Sequence, residues 1–110
     1  MIFDFPIPCL PESIMFCEAG VVSNSSSSSF VFMFIEAMAD AAVLGGMARP
    51  QAYNFAAQAV LGSAKMVLET GMHPGALKDM VCSPGGTTIE AVRTLEALGF
   101  RSAVIEAMKV

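Results

Sequence analysis

The sequence predicts an all-α domain that covers residues 30–110. Alanine, methionine, leucine and valine dominate this span, and its polar side chains recur at helical spacing. Its glycines and prolines stand at a few points where helices could start or stop. No repeat is visible at a period of roughly 20–50 residues, which argues against a solenoid. We therefore expect two long helices and three short ones.

The first long helix is predicted from about Phe30 to Leu44, before a glycine pair. Glu36 and Asp40 are its only charged residues, and their spacing of four places them on one face. The rest of its surface is apolar and needs cover from protein. Residues 30–47 are also long enough to cross a membrane, but each carboxylate would cost a few kcal/mol in a bilayer. We expect no membrane partner.

The second long helix is predicted from about Pro50, which suits a first helical turn, to Thr70. Its apolar surface again covers most of the circumference, since the polar side chains form one stripe: Gln51, Asn54, Gln58, Lys65 and Glu69. A chain of 110 residues is too small to bury both helices alone. We expect an intertwined homodimer, either alone or within a higher oligomer. The alternative is a loosely packed monomer.

The composition of the chain argues against several classes of function. Hydrophobic residues make up 55% of the chain, so apolar surface is in excess of the usual roughly 45–50%. The net charge of -4, without a basic cluster, argues against a nucleic-acid partner. Cys9, Cys17 and Cys82 lack the number and spacing of a disulfide framework or a zinc site, which favours a reducing cytoplasm. The mean hydropathy of +0.62 keeps a membrane hairpin as a competing hypothesis.

Residues 1–29 differ from the rest of the chain in composition and periodicity. A proline-punctuated apolar stretch runs into the serine-rich tract 23–29, and periodicity is weak. No basic residue precedes the apolar stretch, so we expect no signal peptide. The segment is predicted to be poorly ordered and unrelated to the helical domain.

The candidate site is a glycine turn that leads into a helix. Thr87 and Glu90 have the spacing of a capping box, so we expect Thr87 to be the N-cap of a helix that stops at Gly99. Gly85 and Gly86 have no side chains, so an anion such as a carboxylate can reach the backbone N–H groups and the positive end of the helix dipole. A capped helix without a ligand is the alternative interpretation.

Other residues are weaker candidates. His73 precedes a proline at a helix start, so a cap or surface role is favoured over acid–base chemistry. Glu36 and Asp40 could suit a metal, but they have no further ligands, and we expect no metal site. Cys82 is interpreted as a small packed residue, since no nearby histidine or basic pair would lower its pKa.

The residues around the turn resemble the signature of pyrroline-5-carboxylate reductases. The similar positions are Pro74, Leu77, Val81, Cys82, Ser83, Gly86, Thr88, Ala91, Val92, Leu95 and Glu96. Residues 32–37, 61–65 and 99–102 are similar to the same family, so the resemblance covers about residues 30–110.

This resemblance implies an all-helical domain of the type found at the C-terminus of pyrroline-5-carboxylate reductase and 6-phosphogluconate dehydrogenase. It implies a reductase that makes proline by passing hydride from NADPH or NADH to 1-pyrroline-5-carboxylate. It also implies a carboxylate ligand, the substrate or proline. The substrate-binding residues carried over are Ser83, Gly85, Gly86, Thr87 and Thr88, with Thr88 in the catalytic role because it contacts the ring.

The sequence also departs from the family. No strand followed by GxGxxG is present, so we expect no cofactor-binding residue and no activity in this chain alone. Serines 25–29 stand where the family has a Ser-Gly-Ser-Gly-Pro-Ala-Tyr-like segment, and residues 1–24 resemble nothing in it, as in a truncated or frame-shifted product. The alternative function is a non-catalytic module that only self-associates or pairs with a full-length reductase.

Overall fold

A computed structural model describes residues 25–109, and every regular element in that span is an α-helix. The helices are α1 (Ser25–Leu44), α2 (Arg49–Thr70), α3 (Pro74–Met80), α4 (Thr87–Ala97) and α5 (Phe100–Met108). The predicted fold class, with two long and three short helices, is confirmed. The chain divides into two units at Met33, within α1, and the packing described below lies in the second unit.

Helix α1 begins earlier than predicted, at Ser25 and not at about Phe30. The serine tract 25–29 is therefore helical, and the expectation that it is poorly ordered was wrong. Serine is only moderately less favourable in a helix than alanine, and lengthening an existing helix adds one hydrogen bond for each residue that is ordered. The expectation for residues 1–24 lies outside the described residues.

The other helix ends follow the glycine and proline signals. Gly71 ends α2 in the left-handed conformation, with φ 68°, and its N–H donates to the carbonyl of Val67 at 3.1 Å. A side chain at this position would be strained, which explains why the helix stops at a glycine. Pro50 lies in the first turn of α2, as predicted.

The buried core consists of alanines at the crossing of α1 and α2. Ala39, Ala52 and Ala56 are at most 5% exposed. Half-buried apolar side chains pack around them: Ile35, Met38, Ala42, Val43 and Met47. Methyl side chains bury little apolar area, so this core contributes only modestly to stability.

Polar and aromatic contacts join the helices at their ends. Arg49 at the start of α2 donates to Asp40 of α1 at 2.5 Å, and this hydrogen bond raises the pKa of the Arg49 guanidinium. The same guanidinium lies 5.6 Å from the centre of the Tyr53 ring, within the range of a cation–π contact. The rings of Phe34 and Phe100 lie 6.0 Å apart and connect α1 to α5.

Large apolar side chains remain exposed on every long helix. Leu44 of α1 is 90% exposed, and Leu68 and Phe55 of α2 are 83% and 60% exposed. Within the described residues, Ser27–Leu44 is also long and apolar enough to cross a membrane, with a mean hydropathy of 1.5. A helix that packs inside a soluble assembly meets the same criterion. In one copy of the chain, the apolar surfaces of the two long helices thus remain exposed, although the sequence predicts that protein covers them.

Candidate functional site

Residues 83–86 form a tight turn that holds the start of α4 in place. The Gly86 N–H donates to the Ser83 carbonyl at 3.1 Å, which closes the turn. Pro84 and Gly85 occupy its two central positions, and Gly85 has φ 67°. A positive φ at the third residue, after a proline, is typical of a type II turn and favours glycine there.

The N-cap of α4 is Gly86, so the predicted capping box is wrong. Gly86 is extended, with φ -85° and ψ 177°, and no side chain caps this end of the helix. The helix begins at Thr87, which places Glu90 at the fourth helical position, one too late for a capping box. The Glu90 carboxylate instead accepts from Arg93 Nε at 2.7 Å.

Among the described residues, no side chain caps the start of α4. The first-turn N–H groups of a helix have no partner within the helix, and a capping side chain normally satisfies one of them. At α4 no side chain takes that position. The N–H groups of Thr87 and Thr88 thus lie at the positive end of the helix dipole, where a carboxylate binds favourably.

Gly86 lies close to the Ser83 side chain. A Cβ atom added at Gly86 would lie 2.6 Å from Ser83 Oγ and 3.3 Å from the Ser83 carbonyl oxygen. The Ser83 hydroxyl therefore lies directly beside the helix start. The five predicted substrate-binding residues are neighbours in sequence, and they lie in the turn and in the first turn of α4.

Residues 83–88 lie on an open surface and not in an enclosed pocket. Ser83, Gly85, Thr87 and Thr88 are exposed, and Gly86 is half-buried. A small ligand site usually buries most of the ligand surface. A small ligand at this turn would need further contacts from outside the described residues.

Two open grooves lie elsewhere in the domain, and sequence reasoning missed both. One, of about 370 Å³, lies where α3, α4 and α5 meet and includes Lys78, Val92, Phe100 and Arg101. The other, of about 640 Å³, lies between α2 and α3 and is described below. The small residues of α2 were the available signal for the second groove, but spacing alone does not show which helix faces them.

The weaker candidates have structural roles. His73 is the N-cap of α3, and its Nδ1 accepts from the Gly75 N–H at 2.9 Å, which confirms the predicted cap. Asp40 binds Arg49, so this carboxylate is engaged, and Glu36 makes no metal-type cluster with it in the described residues. Cys82 is half-buried beside the turn.

The His73 cap leads to a stability prediction. His73→Ala is expected to lower the free energy of unfolding by about 1 kcal/mol, because the acceptor for the Gly75 N–H is lost. Urea titration followed by circular dichroism measures the change. His73→Asn, which supplies another capping acceptor, should recover most of it. Equal stability of the alanine variant and the wild type would show that the cap contributes nothing.

Comparisons with known proteins identify the family of the chain. The family model for pyrroline-5-carboxylate reductase dimerisation matches residues 17–110, a span that begins before the expected start at Phe30. Pyrroline-5-carboxylate reductase of Escherichia coli is 84% identical over 85 residues, which cover 77% of this chain and 32% of that protein. The reductase of Methanosarcina acetivorans is 56% identical over 99 residues, or 90% of this chain and 36% of that protein.

A solved structure gives the same result for the fold. Pyrroline carboxylate reductase of Plasmodium falciparum, crystallised with NADP bound, is similar with a TM-score of 0.76 and 31% identity. The match covers 89% of this chain and 37% of that one. The chain spans about a third of the length of the curated relatives it matches. The helical fold, the signature around the turn and these matches together show that the chain belongs to the pyrroline-5-carboxylate reductase dimerisation family.

Proposed function

We propose that this chain is the dimerisation and substrate-binding part of a pyrroline-5-carboxylate reductase. The complete reaction is the reduction of 1-pyrroline-5-carboxylate to L-proline by NADPH or NADH. The single observation that carries the proposal is the uncapped start of α4 next to the turn at residues 83–86. Membership of a reductase family supports it, as do the names of the relatives.

The turn orients the substrate through its carboxylate. The N–H groups at the start of α4 and the Ser83 hydroxyl bind the carboxylate, and the absence of a side chain at Gly86 lets it approach. Thr88, at the second helical position, offers its hydroxyl to the ring nitrogen. Because the carboxylate and the imine belong to one small ring, binding the first fixes the position of the imine carbon.

The nicotinamide cofactor supplies the hydride, and the described residues do not fit its phosphates. A dinucleotide turn follows a strand and opens a helix. The turn at residues 83–86 instead follows the helix α3, and no strand occurs within residues 25–109. We therefore place the cofactor outside these residues and assign no step of its chemistry to them.

The proposed assembly is an intertwined homodimer. Family membership supports homodimer formation, and the physical reason is the excess of exposed apolar surface over a core of three alanines. Burying a leucine or phenylalanine side chain contributes about 1.5–3 kcal/mol, so several such contacts can stabilise a dimer. The second copy also contributes side chains that surround the exposed turn.

We also propose a cytoplasmic, membrane-free location. Glu36 and Asp40 stand in the middle of the apolar helix α1, where a bilayer would disfavour both. A protein interface can provide hydrogen-bond donors to the same carboxylates. Recovery of the chain in the soluble fraction without detergent is expected, and recovery only with detergent would contradict this location.

Ligand titration tests the site. We expect L-proline and cyclopentanecarboxylate to shift the amide resonances of residues 85–88 in a ¹⁵N spectrum of the full chain, since both carry a carboxylate. Cyclopentanecarboxamide, which has the same ring without the charge, is the matched control and should shift them far less. Unchanged resonances with both acids would refute the carboxylate site, whereas dimerisation would remain a separate question.

A further inference from the structure

The groove between α2 and α3 is apolar and contains a single charge. Its walls include Gln58, Ala59, Gly62, Met66, Leu77 and Lys78, and its volume is about 640 Å³. We call it the α2–α3 groove. Ala59 and Gly62 present almost no side chain, so a helix can lie close to this wall. Among the described residues that line the groove, Lys78 is the only charged one, and its charge is positive.

One acidic residue of the described part of the chain forms no ion pair there. All six lysines and arginines of the chain lie within the described residues, and each pairs with a carboxylate. The pairs are Arg49–Asp40, Lys65–Glu69, Lys78–Asp79, Arg93–Glu90, Arg101–Glu96 and Lys109–Glu106. Glu36 is the seventh acid of residues 25–109, and among these residues it forms no ion pair.

Glu36 lies on a helix whose surface must be covered. It is exposed on α1, and Ala37, Ala41 and the 90% exposed Leu44 are exposed on the same helix. Covering α1 with apolar surface alone would bury an unpaired carboxylate, which costs several kcal/mol. The surface that covers α1 must therefore provide a cation or a hydrogen-bond donor for Glu36.

We propose that α1 of a second copy lies in the α2–α3 groove and that its Glu36 binds Lys78 and Gln58 there. This inference rests on the homodimer of the proposed function and specifies its contact. The charges are complementary, since an apolar helix with one unpaired acid meets an apolar groove with one cation. In a two-fold dimer the contact occurs twice.

Lys78 is able to change partners. Among residues 25–109 its only ion pair is with the adjacent Asp79 at 2.9 Å, and the Asp79 side chain is 74% exposed. An exposed pair of this kind contributes little, because water solvates both charges. Asp79 remains hydrated when Lys78 turns to Glu36, so the exchange of partners costs little. Gln58 adds two N–H donors, and no hydrogen bond involving it occurs in the described residues.

A charge exchange tests the contact. The dissociation constant for dimerisation of the 110-residue chain is measured by sedimentation for Glu36→Lys, Lys78→Glu and the double variant. Each single reversal places like charges together and is expected to weaken the dimer at least about 30-fold, as for a buried interface pair. The double variant restores opposite charges and should return to within about threefold of the wild type.

Controls separate this contact from general effects. Glu36→Gln and Lys78→Gln preserve side-chain size and should weaken the dimer less than the reversals, with unchanged helicity by circular dichroism. Glu69→Lys reverses an acid whose pair lies within α2, and it should leave the dissociation constant within about threefold. Weakened single variants that the double variant fails to rescue would overturn the contact, as would single variants that dimerise normally. A monomeric wild type would instead refute the homodimer itself.

Discussion

Phe55→Asp is expected to convert the dimer into monomers, with a dissociation constant raised at least about 100-fold, or about 2.7 kcal/mol. Phe55 is 60% exposed in one copy and precedes Gln58 and Ala59 of the α2–α3 groove by one helical turn. The change removes a large apolar contact and would bury a carboxylate without a partner. Sedimentation equilibrium measures the dissociation constant.

Two variants control this experiment. Gln51→Asp adds the same charge in the first turn of α2, two helical turns before Gln58, and should leave the dimer intact. Phe55→Leu retains an apolar side chain and should weaken it only slightly. The helical content of the Phe55→Asp monomer should stay high, because Phe55 belongs to neither the alanine core nor its half-buried surroundings. A Phe55→Asp dimer of wild-type affinity would refute burial of this surface.

Gly86→Ala is expected to weaken proline binding at least about tenfold while changing stability little. The backbone of Gly86 has φ -85° and ψ 177°, an extended conformation that alanine adopts without strain. Its Cβ, however, would lie 2.6 Å from Ser83 Oγ. The Ser83 hydroxyl must then move from the start of α4, and the new methyl group narrows the approach to the N–H groups.

The partner residue provides the matched control. Ser83→Ala alone removes one hydrogen bond to the carboxylate and should weaken binding only a few-fold. Ser83→Ala combined with Gly86→Ala removes the clash with Oγ and should bind better than Gly86→Ala alone. Amide shifts on titration with L-proline measure each affinity. Wild-type affinity in the Gly86→Ala variant would show that the carboxylate does not bind at this turn.

In our proposal, one small domain combines dimerisation with carboxylate binding. In a single copy the buried core is limited to three alanines of α1 and α2, and phenylalanine and leucine side chains stay exposed. The turn at residues 83–86 presents hydrogen-bond donors to an anion, but it provides no walls. In our proposal, association with a second copy covers the apolar helices and also supplies the surroundings that the turn lacks.

Local signals predicted much of this structure. Gly71 ends α2, Pro50 lies in its first turn, and His73 caps α3, because these residues act through their own backbone or a neighbour within two positions. Local signals were less reliable where two alternatives differ by a single residue. Thr87 and Gly86 are both acceptable N-caps, and the closed turn from Ser83 to Gly86 decides in favour of the glycine.

The sequence by itself therefore determined the all-α class, most helix ends, the excess of apolar surface and the segment that carries the candidate site. These properties depend on composition, periodicity and turn residues, which act over a few positions. Only the tertiary structure decided which side chains are buried, that Glu36 alone among the acids of residues 25–109 lacks an ion pair, and that α2 and α3 enclose a groove. Pairing and burial join residues distant in sequence, so they depend on how the helices pack and not on any local pattern.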